Sequence, residues 1–149
     1  MKLIFLTLIS FSLLFAKATI GEPLPVVDLV DQFDNKLEIR SDATLIVSFQ
    51  KSVSSKIQAY LTSKPKHYLE QNNILYVSDM SAAPTFMIKL FGIPKMQKFP
   101  YKVALIYDDE IADNIQRESD KITVISLRQH KIIKIQFASP KDLGKVLLR

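Results

Sequence analysis

"TLIVSFQKSVSSKIQAYL", residues 44–61, is the stretch on which the fold turns. Residues 44–49 are aliphatic, β-branched and aromatic apart from Ser48, the composition of a central strand covered on both faces. From residue 52 the period changes. Val53, Ile57, Tyr60 and Leu61 fall at i, i+4, i+7 and i+8, the apolar stripe of a helix over 52–63. Ser52 is expected to cap that helix and Pro65 to stop it. The polar junction between strand and helix carries Lys51, Ser52, Ser54, Ser55 and Lys56.

Downstream, "ILYVSD" (74–79) reads as the next strand. Ser81 then caps a helix with Pro84 in its first turn, a buried face of Ala83, Met87, Leu90 and Phe91, and Gly92 just past its end. "KVALIYD" (102–108) is a further strand, and "DEIADNIQ" a short helical or turn segment. "KITVISL" and "KIIKIQF" flank Arg128-Gln129-His130-Lys131 and read as an antiparallel hairpin. "SPKDLGKVLL" is a closing helix with Ser139 as cap, Pro140 first and Leu143, Val146 and Leu147 inward. Upstream, "PLPVVDLVDQFDNKLEI" suggests an N-terminal β-hairpin around a turn at Asp31–Asn35, where Asp34 and Asn35 tolerate left-handed backbone.

The first eighteen residues stand apart from this pattern. Lys2, an apolar run from Leu3 to Phe15, and small residues at Ala16 and Ala18 form a signal peptide, with the cut expected before Thr19. The run is short for a membrane span, and no second one follows, so no stable span is expected after cleavage. Residues 19–149 then form one domain. The removed segment holds two lysines and no acid, so the net charge falls from +5 to +3. That excess is mild and interspersed, which argues against a nucleic-acid partner. With no cysteine there is no disulfide, and with three glycines there is neither a G-x-G-x-x-G motif nor a P-loop.

The order ββ–β–α–β–α–β–β–β–α describes an α/β sandwich, a central mixed sheet flanked by helices. A parallel β–α–β unit that opens the sheet and an antiparallel hairpin that closes it make the thioredoxin arrangement. Four stretches, "LIVSFQKSVSSKIQAYL", "ILYVSDMSAAPTFMIKLFGIPKMQKFPYKVALIYD", "SDKITVISLRQHKIIKIQF" and "SPKDLGKVLL", resemble the YtfJ family of small periplasmic proteins with a thioredoxin-like fold. The resemblance implies fold and compartment rather than a reaction.

Thioredoxin-type chemistry needs a thiolate with a lowered pKa and a second thiol to resolve the mixed disulfide. Matching Phe49 to the aromatic at the strand end puts Ser54 and Ile57 near the two cysteine positions. Asp120-Lys121 stands where such proteins carry a cis-proline. Dithiol exchange and peroxide reduction by a thiolate are therefore excluded. The serines read as a capping turn; the sharper alternative is an anion pocket at the helix start, with Lys51 and Lys56 alongside. Asp108, Asp109, Glu110 and Asp113 follow a strand and could suit a hard cation, but they lack a calcium-loop spacing and serve equally as acids at a helix N-terminus. His67 and His130 are far apart and lack visible partners, so both are read as surface residues. No residue is given a catalytic, metal or cofactor role, and no cofactor is required.

What remains is an exported, periplasmic, non-catalytic domain that binds a protein partner or a ligand. Its contact site is expected at Lys51, Ser52, Ser54, Ser55, Lys56 and Lys121, in a groove between the serine turn and the start of "KITVISL". The alternative is a cofactor-binding or redox-accessory protein of the cell envelope.

Overall fold

The computed structural model describes residues 17–26 and 29–148; the apolar leader 1–16 lies outside them. Strand β1 (Ala43–Ser48) is the middle of a five-stranded sheet of order β3-β2-β1-β4-β5. β2 (Ile74–Asp79) lies parallel to β1, and β3 (Ala104–Ile106) lies parallel to β2. On the other side β4 (Ile122–Arg128) runs antiparallel to β1, and β5 (Lys131–Ala138) antiparallel to β4. Thus Leu45, Ile46 and Val47 sit where apolar side chains on both faces of a strand require. Leu45 and Val47 enter one core and Ile46 the other, all nearly without solvent contact.

Helix α1 (Lys51–Thr62) covers the Ile46 face with Val53, Ile57 and Leu61, the expected stripe. A short helix not expected from the sequence, α2 (Tyr68–Gln71), follows and buries Leu69. The hairpin between β4 and β5 closes through Gln129 and His130, with φ of 50° and 62°. These left-handed values at both loop positions match the twist of the flanking strands. Outside partners help hold them there: Gln129 N–H donates to Asp42 Oδ1 at 2.8 Å, and His130 N–H to Ser41 O at 2.9 Å.

Three local expectations are corrected. Among the described residues no N-terminal hairpin is formed; single bridges pair Val30 with Lys36 and with Leu105, and Pro23 with Lys131. The turn itself is present, because the Asp31 carboxylate accepts the N–H groups of Phe33 and Asn35, each at 2.9 Å, and Asp34 is left-handed. Within this turn, Gln32 is buried and donates to Met96 O and Tyr101 O while accepting from Val103 N–H. The chain spends its polar groups on the loop before β3, and its apolar side chains, Val26 and Leu29 among them, on the Leu45 core.

The second correction concerns the segment 85–96. It runs as α3 (Thr85–Met87), a π-helical turn (Ile88–Gly92) and α4 (Ile93–Met96), so Gly92 does not end it. Pro94 has no N–H, and in an α register its ring would strike the carbonyl of Leu90; widening the turn before it relieves both problems. Ile88 and Met96 face inward, whereas Ala83, Met87, Leu90 and Phe91, all expected to be buried, are exposed along with Phe86. Apart from Thr85, Lys89 and Lys95 the segment is apolar or glycine, with apolar residues on every side, so its sequence did not choose the buried face. The third correction is at the carboxyl end. A 3-10 turn (Pro140–Asp142) precedes a short helix, Leu143–Leu147, and Ser139 makes no side-chain cap.

Candidate functional site

The carboxyl ends of β1 and β2 meet the start of α1, and the serines expected there are divided between core and surface. Ser54 Oγ donates to Ser48 Oγ at 2.8 Å, and Ser48 Oγ lies 3.1 Å from the Tyr76 hydroxyl. This hydroxyl chain runs from the first turn of α1 into the core, so Ser54 is turned inward. Ser55 Oγ donates to the Lys51 carbonyl at 2.9 Å. Ser52 is exposed and does not cap the helix; Gln50 holds the capping position in extended backbone, without a side-chain cap bond. The helix begins one residue before Ser52, and the Gln50 amide is engaged elsewhere, accepting the Asp120 N–H at 2.6 Å. Asp120 itself is left-handed, with φ of 59°.

Gln50 and Asp120 thus bring the turn before β4 against the start of α1. The open groove, however, lies beside this contact. A cavity of about 530 Å³ runs between the first turns of α1 and the segment 80–96. Of the expected site residues, Lys51, Ser54 and Ser55 line it; Ser52, Lys56 and Lys121 do not. Its apolar lining includes Phe49, Pro84 and Phe91, together with Met80, Met87 and Met96, every methionine of the chain after Met1.

One acid, Asp79, lies in that lining with its side chain only 3% exposed. It accepts the Ser81 N–H at 2.9 Å and faces the Arg117 guanidinium at 3.8 Å. Arg117 also pairs with Asp113 and lies 5.0 Å from the centre of the Phe49 ring. Arg117, Asp79 and the methionines were absent from the sequence-based site. The run Met80, Met87, Met96 and the i,i+4 pair Asp113–Arg117 were visible in the sequence; the pairing of Arg117 with Asp79 depends on how the loop after the 109–113 helix docks and left no signal.

The acidic run after β3 is structural at its first residue. Asp108 Oδ1 accepts the Glu110 N–H at 2.9 Å and caps a helix, Asp109–Asp113. Among the described residues no group of three His, Cys, Asp or Glu is arranged to hold a metal ion. His67 lies 3.0 Å from Glu70 at a smaller cavity of about 220 Å³ near the amino ends of β1 and β2, whereas His130 stands in the hairpin loop. At that smaller cavity the polar side chains are engaged with their neighbours, Arg40 with Asn73 and His67 with Glu70. Burial pushes the hydroxyl of Tyr101 there up to about 12. Among the described residues no helix is long and apolar enough to cross a membrane.

No protein-family model matches the chain, and no curated protein sequence does. Solved structures do. PrxQ of Xylella fastidiosa, in a mutant form, is 13% identical over 89% of this chain and 95% of its own, with a TM-score of 0.58. The peroxidoxin BcpB of Mycobacterium tuberculosis is 12% identical over 88% and 94%, also at 0.58. The thioredoxin domain of a thiol-disulfide oxidoreductase from Bacteroides vulgatus is 13% identical over 88% and 99%, at 0.55. At such identities the likeness shows the fold alone: this is a thioredoxin-like domain that carries no cysteine.

Proposed function

We propose that the chain is an exported, non-catalytic, thioredoxin-like domain of the YtfJ type that binds a protein or ligand in the periplasm. The observation that supports this most directly is the exchange made at the carboxyl edge of the sheet. The Ser48 and Tyr76 hydroxyls are buried there, with Ser54 bonded to Ser48, and an apolar groove opens beside them. Without a thiolate the edge cannot attack a disulfide or a peroxide, so the groove serves to hold rather than to transform. The leader at residues 1–18 supports export.

A photo-crosslinking side chain at Phe91, in the groove, and another at Ile133, on edge strand β5, test the reading in the exporting cell. Capture of a defined species from position 91 and not from position 133 is expected. No capture from either, or the same species from both, overturns the groove as a binding site. Recovery of the chain from the cytoplasmic fraction alone overturns export.

A further inference from the structure

Resting on the binding reading above, we propose that the groove takes an acidic amphipathic protein segment, one that presents apolar anchors flanked by Asp or Glu. Three independent features of the site lead there. The first is charge. From Met80 to Lys98 the chain carries three lysines, Lys89, Lys95 and Lys98, and no acid. Lys51 and Lys95 line the groove itself, while its one acid, Asp79, is buried and faces Arg117. Asp120, near Gln50, does not line it. The face offered to a partner is therefore positive around an apolar floor, which favours an anionic partner and disfavours a cationic one.

The second feature is the floor. Met80, Met87 and Met96 are unbranched and polarisable, so they reshape around an anchor side chain without a fixed partner geometry. The third is exposure. Phe86, Leu90 and Phe91 are 62%, 64% and 64% exposed on one helical segment, too much apolar surface on neighbouring turns to be incidental. The π-helical turn sits within this segment and carries Leu90 and Phe91. A groove with flexible walls and an apolar helix beside it fits a partner helix or strand that inserts side chains. A lipid surface would meet the protruding rings but leave the concave part of the site unfilled, so a protein segment is favoured over a membrane.

Methyl-labelled methionine in the protein purified from the exporting cell gives a direct readout. Two synthetic amphipathic peptides of Leu and Phe are compared, one with Glu at every polar position and one with Lys. The Glu peptide is expected to shift the methyl signals of Met80, Met87 and Met96 and to bind at least about tenfold more tightly than the Lys peptide. Lys51→Glu with Lys95→Glu should abolish that preference, and Phe91→Ser should weaken binding. Lys134→Glu, on edge strand β5, should change neither. Thermal melts of each variant separate lost binding from lost folding. Equal binding of both peptides, no shift with either, or binding to phosphatidylglycerol vesicles in place of the Glu peptide overturns the proposal. Because the crosslink from position 91 needs no assumption about charge, its success beside a failed peptide preference would remove the acidic partner and leave the groove.

Discussion

The hydroxyls of Ser48 and Tyr76, on neighbouring parallel strands, lie 3.1 Å apart with neither residue open to solvent. Ser48→Ala leaves the Tyr76 hydroxyl buried without this partner, at an expected cost of about 1–3 kcal/mol. Tyr76→Phe should cost less, because Ser48 keeps its bond from Ser54. The double variant is expected to lose less than the two single losses together, as read from urea unfolding of all four proteins.

Lys51 and Lys56 are exposed and lie off the apolar stripe of α1. Reversing both charges should change stability by no more than about 0.5 kcal/mol. Ile46→Ala, in the core, should cost about 2–5 kcal/mol by comparison. A melting-temperature loss at the lysines comparable to that of Ile46→Ala would make the turn a structural element and not a contact surface.

Gly92 has helical backbone, φ −68°, so glycine is not required there by conformation. A Cβ at this position would meet Met80 Cε at 3.6 Å, Ile88 Cγ2 at 3.7 Å and Met96 Cε at 3.9 Å, all ordinary contacts. Gly92→Ala is therefore expected to stabilise the fold by about 0.5–1 kcal/mol. Differential scanning calorimetry should show a raised Tm.

Burial holds the Tyr101 hydroxyl up at about 12 against an ordinary 10.0. The folded chain thus keeps this proton more tightly than the unfolded chain. Its contribution is whole below pH 10 and is lost as the pH rises through 12. Tyr68 and Tyr107 are raised, in each case chiefly by burial, and act in the same direction. Tyr101→Phe should flatten the alkaline fall of stability by about 1–2 kcal/mol, measured by denaturant melts across that window.

Ala18 is 1% exposed, donates its N–H to Asn114 O at 2.7 Å and accepts from Gln116 Nε2 at 2.9 Å. A chain cut before Thr19 loses both bonds and should be less stable than one beginning at Lys17 by about 1–3 kcal/mol. Ala16 and Ala18 satisfy the small-residue rule for a cut before Thr19, and that cut removes Ala18 and with it both bonds. N-terminal sequencing distinguishes Lys17 from Thr19.

Residues 44–61 alone determined the centre of this protein. A strand apolar on both faces must be covered on both, and an i, i+4, i+7, i+8 stripe must lie on one of them, whatever the remainder of the chain does. The β4–β5 hairpin was legible for a related reason, two apolar runs with too few residues between them to reach anything but each other. Tertiary structure decided the rest. Residues 85–96 carry apolar side chains on every side despite Lys89 and Lys95, so the packing of Ile88 and Met96 and the proline at 94 fixed which side faces water. That choice created the groove and its exposed rings. The N-terminal turn was written locally in Asp31, whereas the docking of Gln32, whose buried amide bonds Met96, Tyr101 and Val103, was decided by tertiary structure. Ser54 shows the same division at the site: sequence placed it in the first turn of the helix, and only the position of Ser48 beneath it turned its hydroxyl into the core.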